Sequence, residues 1–302
     1  MGKRFFFFIK ITLSIFLIFY VLQRIQLTSV INELTNINLP FLIGACGVLL
    51  LQFWIAAYRW NVTLISLGTR APWKTILRIN WTALFFNQAL PASIGGDATR
   101  VWFLHQRGHA AATTISSILI GHLGMITGLL MISFAGIGIR IFMQEPFSPG
   151  LAFLYWFIPL LLIGACVLTM ILARFGLLLP KPIPAFTHHL RLMLHRPTQV
   201  LFFMLLTIVS CFLLVIVSYL LGVALHLPIA WMNFVTLMPL VIFASVLPIS
   251  IGGWGPREAT TIALFSQLGI SNSAAFTLSV LLAICTIVVS LPGALFYLFG
   301  RH

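Results

Sequence analysis

Two arginines, each close to a carboxylate, are the side chains of this sequence best suited to bind an anion. Asp97 lies three positions before Arg100, and Glu258 directly follows Arg257. Arginine holds a phosphate or a carboxylate through two parallel hydrogen bonds, and a neighbouring acid can pair with it when no ligand is bound. The acid could also take up a proton. We therefore predict that Arg100 and Arg257 bind an anion, while Asp97 and Glu258 serve in charge pairing or proton coupling.

Both arginines end a string of residues that occurs twice. The sequence reads LPASIGGDATR at positions 90–100 and LPISIGGWGPR 157 positions later, at 247–257, with seven of the eleven residues identical. In each copy a proline, which interrupts helical hydrogen bonding, precedes a glycine pair, which permits sharp turns and close backbone approach. We predict a broken helix at each copy, followed by the start of a short helix.

The start of each short helix adds to the predicted binding site. Free N–H groups there carry partial positive charge and suit a phosphate or a carboxylate. Asp97 could cap the first helix, and Pro256 is well placed as the first residue of the second. The predicted substrate-binding residues are Arg100, Arg257, Ser93, Ser250, Gly95, Gly96, Gly252, Gly253 and Asn87. The predicted hinge residues are Pro91, Pro248 and Pro256.

A structural alternative stands beside the binding hypothesis. The glycine pairs could only allow packing against neighbouring helices, and Arg257 beside Glu258 could be a structural pair near the membrane interface. Two further candidates are weaker. Arg59 is expected to end a helix, where an arginine that snorkels beside the interfacial Trp60 is the simpler interpretation. His122 could relay protons or simply pack between helices.

The composition places the elements that carry these residues in a membrane. Hydrophobic residues make up 61% of the 302 residues and charged residues only 7%, whereas soluble domains average about 25% charged residues. Apolar stretches near the length that crosses a bilayer, about 20 residues, recur along the whole chain. The sequence therefore predicts an all-α polytopic membrane protein.

The charges and cysteines exclude other classes of protein. Seventeen Lys and Arg residues face only four Asp and Glu residues, but the charges lie between the apolar segments, where they set topology. We therefore expect no nucleic-acid partner. The four cysteines all lie inside apolar stretches, which is typical of packing residues. We expect no disulfide, no metal ligand and no cofactor.

The apolar segments fall into two related halves. Shifting the first half by 157 positions places its segments on those of the second. The segments are roughly 5–22, 39–57, 76–90, 111–136, 151–173, 200–226, 229–247 and 274–299, with a short one at 259–270. We predict one membrane domain made of two repeats, at approximately 1–145 and 146–302.

The loop charges predict an orientation and, from it, an inverted repeat. Lys and Arg residues concentrate in the loops of one side, which the positive-inside rule assigns to the cytoplasm together with both chain termini. The stretch 76–104 must then enter and leave the membrane on the same side, as a re-entrant helical hairpin. Each half has three transmembrane helices plus one hairpin, so the second half is inverted, as in many transporters. If 76–90 crossed fully, the repeats would be parallel.

At these residues the sequence resembles the lysylphosphatidylglycerol synthase transmembrane family, also called the flippase-like domain family. The resemblance covers nearly the whole chain, and Asp97 departs from the family's more usual glutamate while keeping the carboxylate. The matching motif residues are Arg59-Trp60, Asn87, Pro91, Gly96-Asp97 and Arg100, then Pro248, Gly252, Gly255 and Arg257-Glu258. Members include the flippase half of proteins that make and flip aminoacylated phosphatidylglycerol. We do not expect the soluble aminoacyl-transfer activity of the two-part members here.

The motif and the resemblance together predict a lipid translocase rather than an enzyme. We expect it to move an anionic or phosphate-bearing amphipathic lipid across the cytoplasmic membrane, with the headgroup between the two hairpins. The expected partners are membrane lipids. One alternative is an accessory subunit of a lipid or glycolipid synthase. A less favoured one is a membrane-embedded enzyme acting on a lipid headgroup, because local sequence offers Ser93 and Ser250 no neighbouring base.

Overall fold

The computed structural model describes residues 35–89, 94–145, 148–175, 183–246 and 254–299. Within these ranges the chain is helical and contains no strand, which confirms the predicted class. The α-helices are α1 (Leu39–Ser66), α2 (Trp73–Ala89), α3 (Ile94–Gln106), α4 (Ala111–Met143), α5 (Leu154–Phe175), α6 (Ile183–Leu194), α7 (Pro197–Ala224), α8 (Trp231–Val246), α9 (Pro256–Phe265), α10 (Asn272–Ser290) and α11 (Pro292–Phe299). Short 3-10 helices cover Pro149–Leu151 and Ser266–Leu268. The predicted segment 5–22 lies outside the described residues.

Five helical stretches of the described residues are long and apolar enough to cross a membrane. They are Leu39–Ser66, Ala111–Met143, Pro149–Leu172, Pro197–Ala224 and Asn272–Leu298. Large apolar side chains cover their outer surfaces, and the exposed fractions of Phe142, Trp156 and Leu201 are 87%, 82% and 73%. Water disfavours large exposed apolar surfaces, whereas lipid accepts them. The fold is therefore that of a polytopic membrane protein, as the composition predicts.

The helices that flank the two motif copies are shorter than a membrane span. α2 and α8 have 17 and 16 residues, and α3 and α9 have 13 and 10, whereas a crossing needs about 20. α2 packs on α3, and α8 packs on α9. Each of these helices is therefore too short to cross the membrane alone, and the re-entrant course of the two hairpins stays a prediction.

Prolines mark several helix starts. Pro197, Pro256 and Pro292 are the first residues of α7, α9 and α11, a position where the missing N–H of proline breaks no helical hydrogen bond. The last predicted apolar segment is accordingly divided at Leu291, between α10 and α11. Pro256 occupies the position predicted for it.

α6 forms within 174–199, which the sequence interpretation treated as a basic loop. Its buried residues Phe186, Leu190 and Met193 lie three or four positions apart, so they share one face of the helix. They pack in one apolar cluster with Ile120 and Phe203 from the long helices α4 and α7. The spacing of apolar residues could have predicted this helix.

α1 and α7 pack against each other in antiparallel directions. The backbone N–H of Asn38, just before α1, donates to the carbonyl of Ala224 at the end of α7 at 2.9 Å. Further along α1, the Gln52 side-chain amide donates to the Ser210 hydroxyl at 3.0 Å. Residue numbers therefore rise along one helix while they fall along the other. The two helices are also counterparts under the 157-residue offset, since both boundaries agree within one residue.

A close contact between two helices also occurs at two places in the fold, which are related by the same offset of 157 residues. Gly136 on α4 lies against α8, and a Cβ at this position would be 2.9 Å from Oγ1 of Thr236. Gly293 on α11, 157 positions later, lies against α2, and a Cβ there would be 2.1 Å from the carbonyl oxygen of Trp81. The long helical segment of each half thus packs on the short helix of the other half.

We expect Gly293→Ala to destabilise the protein. Its Cβ would overlap a backbone carbonyl, which cannot give way without a shift of α2, and overpacking of this kind costs about 1–3 kcal/mol. Gly138→Ala on α4 is the matched control, because no atom lies within 4 Å of its added Cβ. The control should be neutral or stabilising by up to about 1 kcal/mol. Thermal unfolding in detergent measures both, and a stabilised Gly293→Ala variant would contradict the close crossing.

Candidate functional site

The first motif copy leads into α3, which begins at Ile94. The glycine pair therefore lies inside the first turn of the helix, and Asp97 lies in that turn as well, so the predicted glycine turn and Asp97 cap are both wrong. The predicted close backbone approach is present at Gly96, where a Cβ would be 2.2 Å from the carbonyl oxygen of Ala83 on α2. The N–H of Gly96 donates to Oδ1 of Asn87 at 2.8 Å, which fixes the start of α3 on α2.

The carboxylate of Asp97 holds two cationic or polar partners in the first site. Oδ1 accepts a hydrogen bond from Nη1 of Arg100 at 2.9 Å, and Oδ2 lies 2.8 Å from Nε2 of His122 on α4. The exposed fractions of these side chains are 21% for Asp97, 16% for Arg100 and 44% for His122. The first site is therefore only partly closed to its surroundings.

α1 and α2 hold the Arg100 guanidinium from two other sides. Nη2 donates to Oδ1 of Asn80 at 2.8 Å, and Asn80 is fully buried. The guanidinium also lies 5.2 Å from the ring centre of Trp60, a cation–π distance. Trp60 is itself fixed, because its indole N–H donates to the Ser117 hydroxyl at 3.0 Å.

Two hydrogen-bond donors of the first site lack an acceptor among the described residues. They are Nε of Arg100 and Nδ2 of Asn80. A buried donor without an acceptor costs about 1–3 kcal/mol. An oxygen atom placed beside this pair would remove that cost, so the site offers donors to a further acceptor.

The second motif copy leads into α9, whose first turn closes on itself. Oε2 of Glu258 accepts a hydrogen bond from the N–H of Gly255, just before the helix, at 2.6 Å. Oε1 accepts from Nη2 of Arg257 at 2.6 Å and from the Ser279 hydroxyl on α10 at 3.2 Å. The exposed fractions of the two charged side chains are 10% for Arg257 and 2% for Glu258. The second site is therefore closed and well supplied with hydrogen bonds.

The two sites have a similar arrangement of residues but differ in the sequence position of the acidic residue. The offset of 157 relates Arg100 to Arg257 and also His122 to Ser279, so the arginine and the residue of the following long helix that contacts the carboxylate are counterparts. The offset relates Asp97 instead to Trp254. The Arg257 guanidinium lies 5.2 Å from the Trp254 ring centre, and the adjacent Glu258 supplies the carboxylate.

Arg59 lies inside α1, which continues to Ser66, so the prediction that it ends a helix is wrong. Its Nη1 lies 3.5 Å from Oγ1 of Thr207 on α7, and its guanidinium carbon lies 6.0 Å from the Phe203 ring centre. The neighbouring Trp60 is only 6% exposed, which excludes an interfacial tryptophan. Arg59 on α1, in the first half of the sequence, thus contacts α7, in the second half.

Several predicted site residues lie outside the described residues. They are Pro91, Ser93, Pro248, Ser250, Gly252 and Gly253. The described residues contain no group of three His, Cys, Asp or Glu side chains that could hold a metal ion.

Comparison with known proteins assigns the chain. A family model described as the lysylphosphatidylglycerol synthase TM region matches residues 7–293. The chain belongs to this family. The resemblance drawn from the motif residues is thereby confirmed, and with the five apolar helices it shows an integral membrane protein. No curated protein matches the chain.

Sequence reasoning missed two partners in this member of the lysylphosphatidylglycerol synthase transmembrane family. Ser279 completes the second site, and the repeat itself could have found it, because it lies 157 positions after His122. Asn80 binds Arg100 from α2. No local pattern separates Asn80 from other polar residues of that helix.

We expect Glu258→Gln to destabilise the protein far more than Asp97→Asn. Glu258→Gln leaves the buried Arg257 without a counter-charge, and breaking a buried ion pair costs about 3–5 kcal/mol. Asp97→Asn acts in a partly exposed site, where an ion pair contributes about 1 kcal/mol or less. Thermal unfolding of both variants in detergent measures the difference. Equal losses would contradict the distinction between a closed and an open site.

Proposed function

We propose that this protein is a lipid translocase that moves an amphipathic lipid with an anionic or phosphate-bearing headgroup across the cytoplasmic membrane. The observation that carries the proposal is the partly open arrangement of Arg100, Asp97 and His122 inside an integral membrane protein. A guanidinium that is paired with a carboxylate can exchange it for a phosphate without any covalent change. Such reversible exchange suits transport.

The relation between the two halves supports this proposal. α1 and α7 are counterparts under the offset and run antiparallel, and the contact of α4 with α8 is matched by that of α11 with α2. Counterpart helices that run antiparallel are expected when one half is inverted relative to the other. Transporters built from inverted repeats bind substrate near the midplane, between the halves, and move it by rocking one half against the other.

The proposed topology places both termini in the cytoplasm. The link between α3 and α4 then faces the cytoplasm, and the link between α7 and α8 faces the outside. The exposed residues Gln106 and Ala230 lie in or next to these links. They are suitable positions for labelling from one side only.

The topology predicts opposite labelling of two cysteine variants. In a background without the four native cysteines, Gln106→Cys should react with a membrane-impermeant maleimide only from the cytoplasmic side. Ala230→Cys should react only from the outside. Labelling of both residues from the same side would contradict the inverted arrangement.

We expect Arg100→Gln to slow lipid movement about tenfold or more, because a hydrogen bond to a charged group contributes about 1.5–3 kcal/mol. Proteoliposomes with acyl-labelled fluorescent phosphatidylglycerol measure the rate, with dithionite destroying the outer-leaflet fluorophore. Arg100→Lys should be intermediate, since it keeps the charge but not the planar donor pair.

The control for this experiment is Arg70→Gln, which removes an exposed arginine in the link between α1 and α2. This variant should move lipid at the unmodified rate. Full activity of Arg100→Gln, or equal rates in vesicles with and without the unmodified protein, would reject the proposed function.

A further inference from the structure

The carboxylates of this chain are few enough to follow one by one. Four acidic residues occur in the sequence, and three lie in the described part. Asp97 pairs with Arg100 and His122, and Glu258 pairs with Arg257. The third, Glu145, lies just beyond α4, where it interacts electrostatically with Arg140. The fourth, Glu33, falls outside the described residues.

Arg59 has no carboxylate partner in the described part of the chain. Its contacts there are the long hydrogen bond to the Thr207 hydroxyl and the face of the Phe203 ring. A guanidinium has five N–H donors and always carries its charge. A partly buried cation without a counter-ion is costly in an apolar fold. An anion that reached Arg59 would supply the missing counter-charge.

Arg59 and Arg100 belong to one cluster of charges. Arg59 directly precedes Trp60, and the Arg100 guanidinium lies over the ring of Trp60. The positive charges of Arg59 and Arg100 repel each other. Asp97 offsets the charge of Arg100, whereas Arg59 has no carboxylate partner in the described part of the chain, so one positive charge is in excess.

We propose that Arg59 and Arg100 together bind a group with a single negative charge, and that this group is the phosphodiester of a lipid headgroup. The inference rests on the proposed function and specifies its substrate. A phosphodiester carries one negative charge, which neutralises the excess of the cluster. Its oxygen atoms also provide acceptors for the two unpaired donors of the site, Nε of Arg100 and Nδ2 of Asn80.

Binding to the proposed site can be measured without transport. The full chain is titrated in neutral detergent with phosphatidylglycerol, which carries a phosphodiester, and with diacylglycerol, which has the acyl chains but no phosphodiester. The titrations are run at pH 8, where an ordinary histidine is uncharged. We expect phosphatidylglycerol to raise the melting temperature and diacylglycerol to leave it unchanged, because a ligand that binds only the folded state stabilises it.

Arg59→Gln should weaken phosphatidylglycerol binding about tenfold or more. Without lipid, this variant should melt at or above the temperature of the unmodified protein, because an uncompensated charge has been removed. Arg59→Lys should retain part of the lipid effect, and the exposed Arg70→Gln should retain all of it. A purely structural Arg59 would give the opposite pattern, with Arg59→Gln melting earlier and the lipid effect unchanged, and that pattern overturns the proposal.

Further measurements distinguish a lipid phosphodiester from a free one. They also test the binding site separately from the proposed function. Dimethyl phosphate carries the same single charge without acyl chains. A stabilisation that depends on Arg59 and appears only with phosphatidylglycerol supports the lipid, whereas an equal effect of dimethyl phosphate overturns the lipid assignment. Equal stabilisation by diacylglycerol overturns the phosphodiester site. Lipid binding through Arg59 without lipid movement rejects the translocase and keeps the site. Movement that is unaffected by Arg59→Gln rejects the site and keeps the translocase.

Discussion

A charge inside an apolar fold needs a partner, because an isolated ion taken out of water costs several kilocalories per mole. The two halves of this protein meet that requirement to different degrees. In the second half, the buried Arg257 and Glu258 satisfy each other. In the first half, the more exposed Asp97 serves Arg100, while Arg59 has no carboxylate in the described part of the chain. The difference leaves the ion pair of one half closed and that of the other partly exposed.

The packing of the helices explains how the open site keeps its shape. α2 carries Asn80 and Asn87, which hold Arg100 and the start of α3. α2 is in turn packed against Gly293 of α11, from the other half of the sequence. The geometry around the first arginine therefore depends on the second half as well as on its own. Only a residue without a side chain allows the two backbones to approach so closely.

Much of the fold could be predicted from the sequence, because apolar length and proline position largely determine where helices lie in a membrane protein. α2, α8 and the start of α9 at Pro256 are examples. Predictions failed where a polar residue was taken as a boundary: α1 continues past Arg59 because that side chain faces α7. The cross-helix partners Asn80 and His122 depend on how neighbouring helices are rotated about their axes. A single sequence does not specify how the helices are rotated.

The hydrogen bond from Arg59 to Thr207 runs from α1 to α7, and so from one half of the sequence to the other. If the anion proposed for Arg59 took up the Nη1 donor, this hydrogen bond to the Thr207 hydroxyl would be lost. Binding of the proposed ligand at Arg59 would then alter the contact between the two halves, and the weakness of this 3.5 Å hydrogen bond would keep the change small. Under the proposed function, the side chain that binds the lipid would also be the one that links the two halves.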